Sequence, residues 1–144
     1  MKENNICIKK NIVSFLILVL LGFLAVGSVD TDTSTQNVQS QTPSYTLTAR
    51  QLYHEYDSNE VAADAKYKGQ VVVVSGKIQA IGKDIMDDAY VVLGGGDYFD
   101  GVQCTFTEGQ KSSVAGLSKG QQVAIKGEVA GKMMNVLVNK ASLQ

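Results

Sequence analysis

Aromatic and basic side chains suited to binding a single-stranded nucleic acid lie in the second half of the sequence. Tyr90, Tyr98 and Phe99 could stack on bases, and Lys83 and Lys132 could contact phosphates. Five carboxylates occupy the same stretches: Asp84, Asp87, Asp88, Asp97 and Asp100. These carboxylates would repel a phosphate backbone, and aromatic side chains in small domains more often pack inside the fold. The sequence therefore disfavours nucleic acid as the ligand.

The same carboxylates could ligate a hard cation such as Ca²⁺. The stretch 97–101 lacks the alternating Asp/Asn spacing of a calcium loop, and the acidic residues at 84–88 are equally irregular. Aspartate is common in solvated turns, which is the simpler interpretation. We predict no metal site and no cofactor.

A nucleophilic catalytic site is not indicated either. His54 is the only histidine, and the helical period places it opposite Leu52 and Tyr56, with no serine or cysteine positioned beside it. Cys104 lies in an alternating apolar strand and is expected to be buried and unreactive. We therefore predict that the protein is not an enzyme.

Residues 1–27 have the pattern of a secretory signal. Lys9 and Lys10 precede an apolar run at 12–26, which ends in small residues. The run of 15 is shorter than the roughly 20 residues of a membrane-spanning helix, so cleavage before Ser28 is favoured over an uncleaved membrane anchor. Both alternatives place the rest of the chain outside the cytoplasm. A lipoprotein would need a cysteine where Ser28 stands, so we expect no lipid anchor.

The remaining chain divides into a linker and a folded domain. Residues 28–46 are rich in Ser, Thr, Gln and Asp and predict a disordered linker, because so few apolar side chains cannot offset the entropy of ordering. Residues 47–144 form the predicted domain, with ten basic and eleven acidic side chains. This near-neutral balance argues against a general polyanion binder.

The hydrophobic period within the domain changes from helical to alternating. Thr48 predicts the start of a first helix through a capping box, and Asn59 predicts the start of a second, which ends before Gly69. The following pattern predicts strands at 71–81, 90–93, 102–107, 122–129 and 135–140, with a bulge or a sharp coil at Gly76 and a short helix at 111–117. In the fourth strand, Lys126 is expected on the polar face.

Five strands with a helix between the third and fourth are typical of the OB fold, a Greek-key barrel. We therefore predict a mainly β protein with short N-terminal helices and a five-stranded OB-fold barrel. A β-sandwich is the alternative, although it usually needs about seven strands.

Five sequence stretches carry a resemblance to a known family. YDSNEVAAD at 56–64, YKGQV at 67–71 and VSGKI at 74–78 resemble the tRNA_anti-like family of exported bacterial OB-fold domains, and GVQC at 101–104 and LSKGQQVAIKG at 117–127 continue the match. The resemblance covers nearly the whole predicted domain. It implies an OB fold outside the cytoplasm and no particular activity. Many members look like lipoproteins, whereas this chain lacks the cysteine.

An OB fold binds its ligands on the second and third strands and in the loops joining strands one to two and four to five. The candidate residues on that surface are Lys83, Tyr90, Tyr98, Phe99, Gln103, Thr105, Lys132, Met133 and Met134. One of the two methionines is expected in the core and the other exposed to a partner.

These features predict a non-catalytic binding or interaction module of the cell envelope. Its expected partner is a protein, a peptide or a glycan. A membrane would be contacted only through residues 1–27, if that segment is not cleaved. The alternative is a single-stranded nucleic-acid binder. That alternative requires Lys77, Lys83, Lys126 and Lys132 to form one groove.

Overall fold

The structure, a computed structural model, describes residues 37–96 and 100–144. The predicted signal segment, residues 1–27, lies outside these ranges. The elements are β1 (Tyr45–Thr48), α1 (Ala49–Ser58), α2 (Glu60–Tyr67), β2 (Val71–Lys83), β3 (Ala89–Gly94), β4 (Gly101–Phe106), α3 (Lys111–Ala115), β5 (Gln122–Lys132) and β6 (Val136–Leu143), with a 3₁₀ turn at Glu108–Gln110. Within the described ranges, no helix is long and apolar enough to cross a membrane.

Strands β2 to β6 form a closed barrel. The pairs β2–β3, β3–β4, β5–β6 and β2–β5 are antiparallel, and β4–β6 is parallel. The β2–β5 pairing joins the two ends of the sheet, so the five strands leave no open edge among themselves. This strand order, with α3 between β4 and β5, confirms the predicted OB fold.

A sixth strand, β1, extends the barrel and revises the predicted boundary of the domain. It pairs in parallel with the start of β2, where Tyr45 is level with Val72. Further upstream, Val38 is only 2% exposed. The linker predicted at 28–46 is therefore wrong for its C-terminal part, because strand pairing and one buried valine order a sequence that is polar in composition. Residues 28–36 lie outside the described ranges.

Lys126 departs from its predicted place on the exposed polar face of β5. The residue is 6% exposed, and its Nζ donates a hydrogen bond to the backbone carbonyl of Gln39 at 3.0 Å. The chain ahead of β1 thus lies over β5 and covers the lysine stem, while the amine is satisfied by a carbonyl. Strand alternation alone could not reveal this cover.

The interior of the barrel is filled by side chains from every strand. Alternate positions of the strands point inward, as the period-two pattern requires. The fully buried set includes Val72, Val74, Val91, Leu93, Val102, Cys104, Phe106, Ile125, Val129, Val136 and Val138. The burial predicted for Cys104 is confirmed.

Helix α1 closes one end of the barrel. Thr48 caps it with both hydrogen bonds of the predicted capping box, and Leu52 and Tyr56 are 0% and 1% exposed. Gly76 on β2 lets the helix approach, since a Cβ there would lie 3.1 Å from that of Ala49. Of the two alternatives predicted at Gly76, the bulge is wrong, because the register shift of β2 lies between residues 78 and 80; β2 changes its partner from β5 to β3 just after Gly76.

Two tyrosines connect α1 to α2. The hydroxyl of Tyr56 donates to Asp64 at 3.1 Å, and the hydroxyl of Tyr67 donates to Glu55 at 2.9 Å. Lys66 also pairs with Glu55 at 2.8 Å. Because each helix supplies one tyrosine and one carboxylate, the two helices are fixed against each other at two points.

Helices α1 and α3 lie at opposite ends of β3. The strand begins at Ala89, which lines a cleft with residues of α3, and ends at Gly94, whose neighbour Gly95 contacts Tyr53 of α1. We refer to these as the α1 end and the α3 end of the barrel.

Candidate ligand-binding cleft

The residues predicted to bind a ligand are divided between the two ends. Lys83 is at the α3 end, where its Nζ lies 2.8 Å from Asp87. Lys132 is at the α1 end, where its Nζ lies 3.0 Å from Asp57. The structure therefore does not bring these two lysines into one site.

Tyr90, Gln103 and Thr105 occupy the outer face of β3 and β4 between the two ends. Tyr90 is level with Thr105 across the strand pair, and all three side chains are half-buried. The ring of Tyr90 lies across β2, because a Cβ at Gly82 would be 2.7 Å from the tyrosine hydroxyl. This packing leaves the outer face with one aromatic ring lying flat on the sheet.

The two methionines of the β5–β6 hairpin are both exposed. Met133 is 82% and Met134 79% exposed, so the expectation that one of them joins the core is wrong. The backbone of Met133 bonds to Asn135 in a tight turn, which points both side chains away from the barrel. Tyr98 and Phe99 lie outside the described residues.

A cleft of about 570 Å³ opens at the α1 end between α1 and the β3–β4 connection. Its lining residues come from two distant parts of the chain: Arg50, Gln51, Tyr53, His54 and Asp57 from α1, and Gly95, Gly96 and Asp100 from the connection. Its volume falls within the roughly 300–1,000 Å³ of small-molecule sites. It is a candidate site that the sequence did not reveal.

The amphipathic character of α1 explains why polar side chains meet in this cleft. Burial of Leu52 and Tyr56 in the barrel turns the opposite face of the helix outward. Arg50, His54 and Asp57 follow one another at spacings of four and three, which places them on a common helical face. The polar stripe is therefore set by the same packing that closes the barrel.

Tyr53 forms the floor of the cleft and is held on two sides. A Cβ at Gly95 would lie 2.7 Å from the Cβ of Tyr53, so only glycine permits this close approach. The Nζ of Lys132 lies 4.8 Å from the centre of the tyrosine ring. Desolvation raises the pKa of the Tyr53 hydroxyl, and its hydrogen bond to Asp100 raises it further.

The charged side chains described around the cleft are unevenly paired. Lys132 neutralises Asp57, while the carboxylate of Asp100 interacts with the neutral hydroxyl of Tyr53. Among residues 37–96 and 100–144, Arg50 has no ion-pair or hydrogen-bond partner. Among the described residues, the cleft thus presents one guanidinium and one carboxylate that form no ion pair.

The described lining of the cleft contains no Ser–His or Cys–His pair. No serine, threonine or cysteine is among the described residues that line it, so His54 has no nucleophile to activate there. Cys104 is fully buried, and burial raises the pKa of its thiol to about 12. A thiol in that state is unreactive at neutral pH. The described residues contain no group of three or more side chains placed to hold a metal ion.

A second, smaller cleft of about 340 Å³ lies at the α3 end. Apolar side chains line most of it, including Ile81 and Val114, with Lys83 and Lys111 at its edge. Both lysines are engaged by acidic neighbours: Lys83 with Asp87, and Lys111 with Asp87 and Glu108. Both lysines at its edge are therefore paired.

The four lysines required for a nucleic-acid groove are scattered. Lys83 and Lys132 are at opposite ends of the barrel, and each is paired with an aspartate. Lys126 is buried beneath the segment that precedes β1. Among the described residues, Lys77 is the one member of the four that is exposed and neither paired nor covered. These lysines therefore do not form a continuous basic surface.

The sequence contains one signal for the cleft. The polar residues at 50, 54 and 57 lie opposite the predicted core positions of α1. That pattern identifies a solvent-facing stripe but cannot identify what lies across from it. Asp100, the carboxylate on the other side, is far away in the chain.

The fold and the site can be compared with known proteins. The structure is similar to a crystal structure from Klebsiella pneumoniae subsp. pneumoniae MGH 78578 named as a "putative nucleic acid-binding lipoprotein", with a TM-score of 0.56 and 20% identity over 68% of this chain and 90% of that chain. It is also similar to the OBody AM3L09 bound to hen egg-white lysozyme, with a TM-score of 0.43 and 19% identity over 54% of this chain and 84% of that chain. No curated protein sequence matches the chain significantly.

The first likeness supports the OB fold alone, given its low identity. The sequence itself matches the tRNA_anti-like family over residues 1–142. This match spans nearly the entire chain and includes the motifs on α2, β2, β4 and β5. The chain therefore belongs to the tRNA_anti-like family.

Proposed function

We propose that this protein is a non-catalytic binding module that works outside the cytoplasm and takes a protein, a peptide or a glycan as its ligand. The observation that carries the proposal is the cleft at the α1 end, whose described lining residues are mostly polar and include no serine, threonine or cysteine. The barrel interior is filled by side chains, so a ligand must bind on the surface.

The proposed location rests on the sequence of residues 1–27. A basic start and an apolar run of 15 residues are typical of an export signal. N-terminal sequencing of the protein recovered from cells tests this directly. A chain that starts at Ser28 indicates cleavage, whereas an intact start in the membrane fraction indicates an anchor. Recovery of the intact chain from the cytoplasm would contradict export.

Binding can be tested with soluble peptidoglycan fragments, which carry both sugars and short peptides. We expect the fragments to shift the backbone amide resonances of α1 and of Gly95 and Gly96 in the full chain, kept in mild detergent. The double variant Arg50→Ala/His54→Ala removes two exposed side chains of the cleft and should abolish these shifts. The matched control Lys77→Ala/Gln122→Ala removes two exposed side chains of β2 and β5 and should leave them unchanged.

Single-stranded nucleic acid is the second candidate, since the similar Klebsiella protein is named for nucleic-acid binding. The scattered and paired lysines argue against it here. Fluorescence anisotropy of labelled single-stranded DNA and RNA, at low and at high salt, separates the two candidates. We expect no binding at either salt concentration. Binding that weakens steeply with salt would replace our proposal with phosphate recognition.

A further inference from the structure

An apolar projection and an apolar cleft lie side by side at the α3 end of the barrel. The projection is the tip of the β2–β3 hairpin, residues 84–88, where Ile85 is fully exposed and Met86 is 78% exposed. The cleft, of about 340 Å³, begins at the base of the same hairpin and is completed by α3. The hairpin, α3 and these lining residues all belong to the part of the chain that the structure describes.

The hairpin tip is held in a fixed shape by its own hydrogen bonds. One carboxylate oxygen of Asp84 accepts bonds from the backbone N–H groups of Met86 at 2.8 Å and of Asp88 at 3.0 Å. The backbone N–H of Asp84 also donates to the carbonyl of Asp88. Two apolar side chains on a rigid turn lose little entropy when they enter a partner, so the tip is suited to anchor a protein contact.

The cleft beside the tip accepts side chains of the same kind. Its apolar walls come from two elements: Ile81, Gly82 and Ala89 from the hairpin, and Val114 and Ala115 from α3. A branched or thioether side chain that enters it buries apolar surface on both partners, which is the main driving force of association. The tip thus carries the type of side chain that the neighbouring cleft can hold.

The ion-paired rim of the cleft contains two lysines and two carboxylates. Lys83 pairs with Asp87 at 2.8 Å, while Lys111 lies 3.6 Å from the same carboxylate and also pairs with Glu108. A two-fold axis places an identical set opposite, so the lysines of one copy can face the carboxylates of the other. A rim of a single sign would repel its own copy, whereas this mixed rim is complementary to itself.

We propose that two copies of this chain associate through their α3 ends, with the hairpin tip of each copy in the cleft of the other. A foreign partner would have to offer both a projection for the cleft and a cavity for the tip, whereas a second copy offers both by symmetry. The five tip residues and the seven residues that line the cleft are about half of the 20–30 that a standard interface takes from each side. We therefore expect a reversible dimer with a Kd in the micromolar range.

Size-exclusion chromatography with light scattering measures the association. The full chain, in mild detergent, is run at protein concentrations from about 1 μM to about 1 mM, and the mass of the detergent is subtracted. We expect the protein mass to rise from one chain to two over this range. Ile85→Gln/Met86→Gln should weaken dimerisation at least about hundredfold, because it removes both anchors from each copy.

The matched control is Met133→Gln/Met134→Gln. It changes two exposed apolar side chains at the tip of the other hairpin, which lies at the α1 end. It should leave the dimer unchanged. All four side chains are exposed, so neither double variant should disturb the fold, and circular dichroism checks this directly.

A disulfide test shows which surfaces meet. Met86→Cys and Ala115→Cys are produced as two differently tagged chains in one cell, each with Cys7→Ser, so that the buried Cys104 is the remaining native cysteine. The cells are oxidised before any detergent is added. We expect a link between the two tags through positions 86 and 115, and no link when Met133→Cys replaces Met86→Cys.

Three results would overturn the dimer. They are a protein that stays one chain at every concentration, a dimer that survives Ile85→Gln/Met86→Gln, and an 86–115 link that forms no faster than the control link. None of them bears on the α1 cleft, because that cleft lies at the opposite end of the barrel. The dimer and the proposed function can therefore fail separately.

Discussion

The two ends of the barrel are closed by helices of different length, and this difference decides what each end can do. Helix α1 has ten residues and buries Leu52 and Tyr56, whereas α3 has five residues and buries Val114. Ten residues make nearly three turns, enough for one face to enter the core and another to face solvent. Five residues make little more than one turn. Helix α1 can therefore bury one face in the barrel and present a polar stripe on another, whereas α3 is too short to do both.

The surfaces left beside the two helices differ accordingly. At the α1 end, Lys132 is 14% exposed and its pairing with Asp57 is shielded on one side by Tyr53. At the α3 end, Lys83 and Asp87 are 62% and 67% exposed, so their pairing is open to water and contributes little stability. The α3 end also carries an apolar hairpin tip, with Ile85 and Met86 fully or largely exposed. The ion pair at the α1 end is therefore the more shielded of the two.

The strongest test of this difference compares the two helix anchors. Leu52→Ala should lower the free energy of unfolding by about 2–5 kcal/mol, because it leaves a cavity where α1 enters the barrel. Val114→Ala removes less buried hydrocarbon at the α3 end and should cost about 1–2 kcal/mol. Urea unfolding followed by circular dichroism measures both. Equal losses would mean that α3 is as important to the barrel as α1.

A smaller loss of stability is expected from a glycine substitution at the floor of the cleft. Gly95→Ala places a Cβ 2.7 Å from that of Tyr53 and should cost about 1–3 kcal/mol by pushing α1 away from the β3–β4 connection. Gly109→Ala, in the 3₁₀ turn that precedes α3, meets nothing within 4 Å and serves as the matched control. Urea unfolding again gives the two values. A neutral Gly95→Ala variant would show that the floor of the cleft is not tightly packed.

The acid dependence of stability should also differ between the ends. Hydrogen bonding from Lys66, opposed by desolvation and assisted by Tyr67, lowers the pKa of Glu55 below its ordinary 4.5. A carboxyl whose pKa is lowered on folding contributes stability that is present above its unfolded pKa and lost as the pH falls through the folded one. We therefore expect Glu55→Gln to reduce the loss of stability between pH 5 and pH 3.

The control for this experiment is Asp87→Asn at the α3 end. A hydrogen bond from Lys83 also lowers the pKa of Asp87, but its side chain is 67% exposed against 40% for Glu55. Solvent screening should make its effect on acid unfolding the smaller one. Urea midpoints measured at several pH values between 3 and 7 compare the two variants, and a larger effect from Asp87→Asn would reverse the ranking.

The smallest effect is expected at the apolar hairpin tip. Ile85 is fully exposed, so Ile85→Asn should change the free energy of unfolding by no more than about 0.5 kcal/mol. Thermal unfolding at low protein concentration is a sufficient measurement. A loss above about 1 kcal/mol would mean that this tip packs against another part of the protein and that the α3 end is not open.

The sequence alone determined much of the barrel. Alternation of apolar residues identified β2 to β6, since a strand with one buried face must repeat every two residues. Thr48 and Asn59 located the starts of α1 and α2 because capping depends on neighbours within three residues. These features are local in the chain, and local features can be predicted from it.

Tertiary structure alone decided the features that depend on distant parts of the chain. The pairing of β1 with β2 ordered residues assigned to a linker, and the cover over Lys126 came from residue 39. The cleft at the α1 end is lined by both Arg50 and Asp100, which are far apart in the sequence. The sequence showed that each of these residues was polar. Which charges would share one opening was decided only when the barrel closed and α1 packed against its end.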